Sequence, residues 1–363
     1  AMDAIPSDGL ITAVSDTAGI FIFLVELGII VALINKAGGS RAFGTWAAKH
    51  IKTRTGAMLA TFVLGVLIFI DDYFNCLTVG SVMRPVTDKF KVSRAKLAYL
   101  IDATAAPVCI IAPISSWAAA VAGFVEGENG LALFIKTIPY NYYALLTIAM
   151  MIMLVLMHIN YGPMAAHEYN AEVNDDIYTT SDRPYADAED ESQGKKGIVA
   201  DMLVPIFSLI VCCVIGMIYT GGFFAGETFI DAFANSDASV GLVLGSFCGL
   251  IITMVYYLVR NSLSFEEMMG CLPDGFKQMV PAILILTLAW TLNGTTASLG
   301  AKEFVAGVID THAAGFASFL PFIIFLIAVG LSFATGTSWG TFGILIPIVV
   351  ACFQQTDPQL MII

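Results

Sequence analysis

The feature that most constrains this 363-residue chain is a series of apolar stretches, each long enough to cross a bilayer as a helix. They run at 17–35, 97–125, 131–157, 199–219, 238–259 and 276–298, with a further stretch at 316–352. About 20 apolar residues in a helix cover the ~30 Å of hydrocarbon in a membrane. One such stretch can be a buried core helix; a series cannot. The chain therefore reads as an all-α polytopic membrane protein. Composition agrees, with 58% hydrophobic and 13% charged residues, where soluble domains carry about 25% charged. A net charge of −12 supplies no basic face for nucleic acid. Seven cysteines lie mostly in or beside apolar segments without CxxC spacing, and four histidines sit at segment ends and in loops. Packing explains them better than disulfides or a metal cluster. No cofactor is expected.

Charge fixes the sidedness. Lys36, Arg41, Lys49, Lys52 and Arg54 fill one polar stretch without an acid, and Arg84, Lys89, Lys91, Arg94 and Lys96 fill the next against Asp88 alone. Both belong on the cytoplasmic side. The apolar stretch between them, 55–83, is too short for two crossings, and one crossing would put the basic stretches on opposite sides. A re-entrant hairpin at 55–83 satisfies both facts, and such backbone is tolerated only inside protein or along a watery cavity. Following the chain onward, 97–125 runs out, 131–157 returns, 199–219 runs out and 238–259 returns. The stretch 316–352 is broken by "ATGTSWGTFG" and reads as a second hairpin, opening from the outside. Two inverted repeats follow, 1–157 and 199–363, joined by an acidic cytoplasmic linker at 158–198 that is expected to be solvated and partly disordered. Inverted repeats with interrupted helices are the plan of secondary transporters, with the site where the repeats meet.

The candidate site lies at the tip of the first hairpin, "GVLIFIDDYFNCLTVGSVMRPV". A carboxylate facing lipid at mid-membrane costs about 2.5–3.5 kcal/mol on the lenient scale, so Asp71 and Asp72 need a cavity, a partner or a cation. On a helix, Asp71, Asn75 and Thr78 share a face and Asp72 stands three residues before Asn75. Asp71, Asp72 and Asn75 offer hard oxygen ligands suited to Na+, and adjacent carboxylates also hold protons, so the two compete. A protonated pair that merely pins the hairpin is the plainer reading. Downstream, "LIDATAAPVCIIAPISSWAAAVAGF" carries Pro107 and Pro113, which break the helix at 97–125 beside Ser115 and Ser116. The break exposes backbone to an ion, or is a packing kink whose serines bond the preceding turn. Asp102, lower on the same helix, and Glu26, midway along the first span, are candidates for a gate, a proton relay or a structural acid. Thr335, Thr337 and Ser338 would complete the site from the second hairpin. Trp117 and Trp339 flank the polar tips, as a wall for an organic substrate or as packing.

The segment from Gly65 to Phe124 and the later "ATGTSWGTFGILIPIV" resemble the NhaC-type Na+/H+ antiporter family. The resemblance implies a bacterial inner-membrane transporter of the ion-transporter superfamily, a homodimer with paired hairpins. It points to Asp71, Asp72, Asn75, Ser115, Ser116, Thr337 and Ser338. Some relatives of that superfamily carry organic anions. The family also has a second broken helix after the second hairpin. The offset from Asp71 to Pro113, carried forward from Thr335, lands beyond Ile363, so part of one or both ends is expected to be missing.

The leading expectation is therefore sodium–proton antiport by alternating access. A Na+- or H+-coupled carrier of an amino acid or carboxylate is the alternative; no Lys or Arg lies in the hairpins to hold an organic anion, whereas the tryptophans favour one. An intramembrane aspartyl protease is excluded by the adjacent acids and the lack of a GxGD motif.

Overall fold

The computed structural model describes residues 18–113, 130–181, 197–298 and 319–335, with isolated positions between and beyond them. All the regular structure among the described residues is helical. The helices are α1 (Ala18–Lys36), α2 (Gly39–His50), α3 (Arg54–Leu67), α4 (Asp72–Lys89) and α5 (Arg94–Ile111). Then come α6 (Gly130–Thr137), α7 (Tyr142–Leu156), α8 (Gly162–Val173), α9 (Ala200–Thr220) and α10 (Phe229–Ala234). The last are α11 (Ala238–Val259), α12 (Phe265–Ser298) and α13 (Leu320–Thr335). Side-chain oxygens at the start of several helices accept from orphan backbone N–H groups: Thr53 for α3, Asp71 for α4, Ser93 for α5, Asn141 for α7 and Asp237 for α11.

Among the described residues, α1, α9 and α11 are long and apolar enough to cross a membrane. The expected single span at 131–157 is instead a bent pair. Pro139 sits in a 3-10 turn (Ile138–Tyr140), Asn141 caps a fresh helix by accepting from the Ala144 amide, and the two parts meet at 51°. Apolar composition alone carries no sign of that bend.

One group of helices packs backbone to backbone. The glycines of "GLVLGSFCG" in α11 line up every fourth residue against α9. A Cβ on Gly241 would lie 2.9 Å from the Met217 Cα, one on Gly249 would lie 3.1 Å from the Leu209 Cα, and one on Gly245 would fall on the Cys213 backbone. Small residues at this spacing let membrane helices touch along their length. In the same way α1 crosses α12 at Gly28 and Gly275, each of which has no room for a side chain. The α9–α11 and α1–α12 pairs hold the largest share of the buried apolar cluster, including Phe23, Leu27, Ile30 and Leu209.

The second group is α3, α4, α5, α7 and α8. Here α3 and α4 fold back on one another. At one end Asn75 joins α4 to the end of α3, and at the other the Arg54 guanidinium donates to the Lys91 carbonyl at 3.4 Å. The start of α3 and the end of α4 thus lie together, and both helices pack on α5.

That end of the molecule gathers several chain segments. Arg54 pairs with Glu168 at 2.6 Å and with Glu172, and the other Glu168 oxygen accepts from the Ser93 amide at 2.9 Å. Lys91 pairs with Asp175 at 3.1 Å, Arg94 with Asp88 at 2.7 Å, and the Arg94 amide donates to the Ile177 carbonyl. Residues up to 178 of the expected solvated linker are therefore docked: α8 buries Glu168 at the hairpin root. Sequence distance hid this, because Arg54 and Glu168 stand 114 residues apart. The basic stretch before Arg54 is likewise a helix, α2, packed on α4.

Candidate functional site

Four residues, 68–71, separate α3 from α4. Asp71 is extended (φ −152, ψ 139), and its Oδ1 accepts from the Phe74 amide at 3.0 Å, which starts α4 on a carboxylate. The helix N-terminus carries partial positive charge, so this is favourable ground for an anionic side chain. One turn on, Asn75 Nδ2 donates to the Gly65 carbonyl at 2.6 Å and to the Ile68 carbonyl at 2.8 Å. Those carbonyls lie in the last turn of α3 and on its C-cap residue, Ile68, where no intrahelical donors remain for them. One amide thereby closes the tip.

Asp71, Asn75 and Thr78 are 2%, 0% and 2% exposed, so the shared face expected from their spacing is buried. The Asn75 amide has spent its donors on α3, while its Oδ1 and the Thr78 hydroxyl have no hydrogen-bond partner among the described residues. Buried oxygens left over in this way are unusual, since buried polar atoms are nearly always bonded. They could serve a cation that accepts hard oxygen ligands. Asp72 is half-buried on the adjoining face.

The break after α5 meets this tip. Trp117 is 4% exposed, and its indole Nε1 donates to Asp72 Oδ1 at 3.0 Å. Ser115 is buried and fully engaged: its hydroxyl lies 2.8 Å from the Cys109 carbonyl and 3.0 Å from the Ala112 carbonyl, and it accepts from the Ala118 amide at 3.1 Å. Of the two readings of this break, the serine follows the one in which it satisfies the preceding turn. Asp102 is exposed on α5. Ser116, Thr337 and Trp339 lie outside the described residues; Thr335 ends α13 and Ser338 is half-buried in the stretch beyond it.

Glu26 stands apart from the tip, on α1. It is 8% exposed and hydrogen-bonded to the Ser246 hydroxyl of α11, which also lies 2.8 Å from the Leu242 carbonyl. Nothing in the sequence marked Ser246, one hydroxyl in an apolar helix. A second cluster that sequence reasoning missed surrounds Asp201, fully buried in the first turn of α9. Its carboxylate accepts from the Ile198 amide and the Tyr256 hydroxyl and pairs with Arg260 at 2.9 Å. It ties the start of α9 to the end of α11.

The fold and the tip define a helical membrane protein with a carboxylate-bearing interrupted hairpin, the class in which ion-coupled transporters fall. A profile of the Na+/H+ antiporter family matches residues 121–363, more than half of the chain. A protein of Haemophilus influenzae described only as an uncharacterized protein is 35% identical over 363 residues, covering 96% of this chain and 68% of that one. No solved structure matches. The chain belongs to the Na+/H+ antiporter family. That family is one of membrane transporters for cation/proton antiport. The profile begins at residue 121, so the Asp71 hairpin lies ahead of the matched segment.

Proposed function

We propose that this protein exchanges Na+ for protons at the tip of the α3–α4 hairpin, in the manner of the NhaC-type members the sequence resembles. Asp71 supplies the charge, with the Asn75 Oδ1 and the Thr78 hydroxyl as neutral ligands, and a proton takes the place of the cation on the carboxylates. The observation that carries this reading is the pair of buried oxygens, unpartnered among the described residues, that helical spacing sets on the same face as a 2%-exposed aspartate. Asp72, whose carboxylate accepts from Trp117, is the adjoining acid of the tip.

The end that gathers Arg54, Lys91 and Arg94 faces the cytoplasm by the positive-inside rule, which makes the hairpin re-entrant from that side. Alternating access then consists of movement of the α3–α5 elements against the glycine-packed frame of α1, α9, α11 and α12. The second hairpin supplies the remaining ligands in the inverted-repeat plan. Trp117 and Trp339 are the features that most favour an organic solute, and of these Trp117 is described. Its burial and its bond to Asp72 give it a structural task, which supports a bare ion.

The test is reconstitution in vesicles, following internal pH after addition of Na+, Li+ or K+. Na+-driven proton movement that disappears in Asp71→Asn is the expected result. Proton movement driven only by amino acids or carboxylates would transfer the protein to the organic-solute carriers, with the aspartates as coupling residues.

A further inference from the structure

The basic stretch between α1 and α3 is folded for a purpose the exchange site does not use. Gly38 takes a left-handed conformation (φ 77), which turns the chain from α1 into α2, and Ser40 fastens that corner with a 2.6 Å bond to Asn35 Oδ1. One face of α2 is buried through Ser40, Gly44 and Ala47. A Cβ on Gly44 would lie 2.9 Å from Pro85 Cγ and 3.3 Å from the Val82 carbonyl, so α2 rests directly on the root of α4.

The opposite face carries Trp46, 46% exposed, with the His50 ring tilted against it at 4.7 Å and Phe43 at 5.4 Å. Lys49, His50 and Lys52 are exposed around that aromatic group. Their bases differ from those at the hairpin root: Arg54 has Glu168 and Glu172, whereas no described carboxylate lies within ion-pair distance of Lys49 or Lys52. The helix ends four residues before Arg54, where the hairpin begins, so on the proposed topology it lies at the cytoplasmic boundary of the apolar layer. An aromatic ring amid cations, on a helix lying at that level with one face buried, has the chemistry of an anionic membrane surface.

We propose that α2 is an interfacial helix whose edge of Lys49, His50 and Lys52 around Trp46 binds the headgroups of anionic phospholipids. The contact of Gly44 with Val82 and Pro85 places that lipid one helix away from the hairpin, so headgroup composition bears on how firmly α4 is seated. Phosphate is the chemistry recognised, and the source is the lipid, because Trp46 needs an apolar boundary beside the charge.

The probe is vesicles of phosphatidylcholine with or without phosphatidylglycerol, one lipid at a time carrying bromine on its acyl chains. Quenching of Trp46 is read as the difference between the protein and its Trp46→Phe variant. Brominated phosphatidylglycerol is expected to quench more than the same fraction of brominated phosphatidylcholine. Lys49→Gln/Lys52→Gln should erase that preference, each lost charge lowering lipid association by roughly fivefold. Equal quenching by the two lipids overturns the proposal, and so does a preference that survives in the double variant. Inorganic phosphate that abolishes the preference at matched ionic strength would reassign the edge to a soluble anion and likewise overturn it. The readout is lipid contact, so it stands or falls separately from sodium–proton exchange.

Discussion

Replacing Glu168 with alanine should release α8 from the hairpin root, and the geometry gives the size of the effect. The Glu168 side chain is 3% exposed and makes two bonds to separate chain segments, Arg54 at 2.6 Å and the Ser93 amide at 2.9 Å. Breaking one partner out of a buried pair costs about 3–5 kcal/mol. Arg54 keeps Glu172, which is 51% exposed, so the lower end applies. About 3 kcal/mol corresponds to roughly a hundredfold rise in the local opening constant. Glu168→Gln keeps the shape and an acceptor for Ser93 while losing the charge, and should cost about 1–1.5 kcal/mol, near tenfold. Glu172→Gln, at the exposed end of the same network, should stay below about 1 kcal/mol. Amide hydrogen exchange of 162–173 in the reconstituted protein reads all three, with α11 as an internal reference. The order Glu168→Ala, Glu168→Gln, Glu172→Gln is the expectation. Equal loosening by the two Gln variants, or an α8 that exchanges as slowly in Glu168→Ala as in the parent, would show that apolar contacts and not this carboxylate hold the linker down.

Three further expectations follow from single contacts. Thr78→Val is nearly isosteric and removes a hydroxyl with no described partner; the apparent Na+ affinity should fall about tenfold, the effect of one ligand bond, with thermal stability unchanged or raised. Unchanged Na+ dependence would strip Thr78 of its ligand role. Gly245→Ala places a methyl on the Cys213 backbone and should cost about 1–3 kcal/mol by overpacking, seen as a lowered unfolding temperature in detergent; Gly270→Ala, with nothing within 4 Å, is the neutral control. Ser246→Ala leaves the buried Glu26 without its hydroxyl and should destabilise by about 1–3 kcal/mol, whereas Glu26→Gln, which can still bond Ser246, should be milder by the same assay.

Much of this arrangement can be read from residue order, because the membrane limits what an apolar stretch can be. The spans α1, α9 and α11 fall where hydropathy puts them, and Asp71, Asn75 and Thr78, which helical spacing sets on one face, are all buried. What escaped were contacts between segments far apart in the chain. The partner of Glu26 is a serine 220 residues away, and the acid on Arg54 lies in a stretch whose composition suggested solvent. Net acidity of 158–198 was averaged over residues with different fates: Glu168 is buried, Glu172 is half exposed. Ser115 illustrates a further limit. A hydroxyl beside a proline break fits a ligand and a cap equally well until its distances to Cys109, Ala112 and Ala118 are known. The glycine repeat of α11, in contrast, was legible and carried a definite meaning, close approach to a neighbour, that hydropathy counting passed over.

The cap at Asp71 has a spectroscopic consequence. An N–H bonded to a carboxylate is held about twice as strongly as one bonded to a neutral acid, and the Phe74 amide is bonded to Asp71 Oδ1. Any change of charge on that side chain therefore alters the stretching frequency of one particular peptide group and the fraying of the first turn of α4. An isotope label at Phe74 turns the helix end into a meter for the charge on Asp71, readable without a dye, a pH electrode or a substrate gradient.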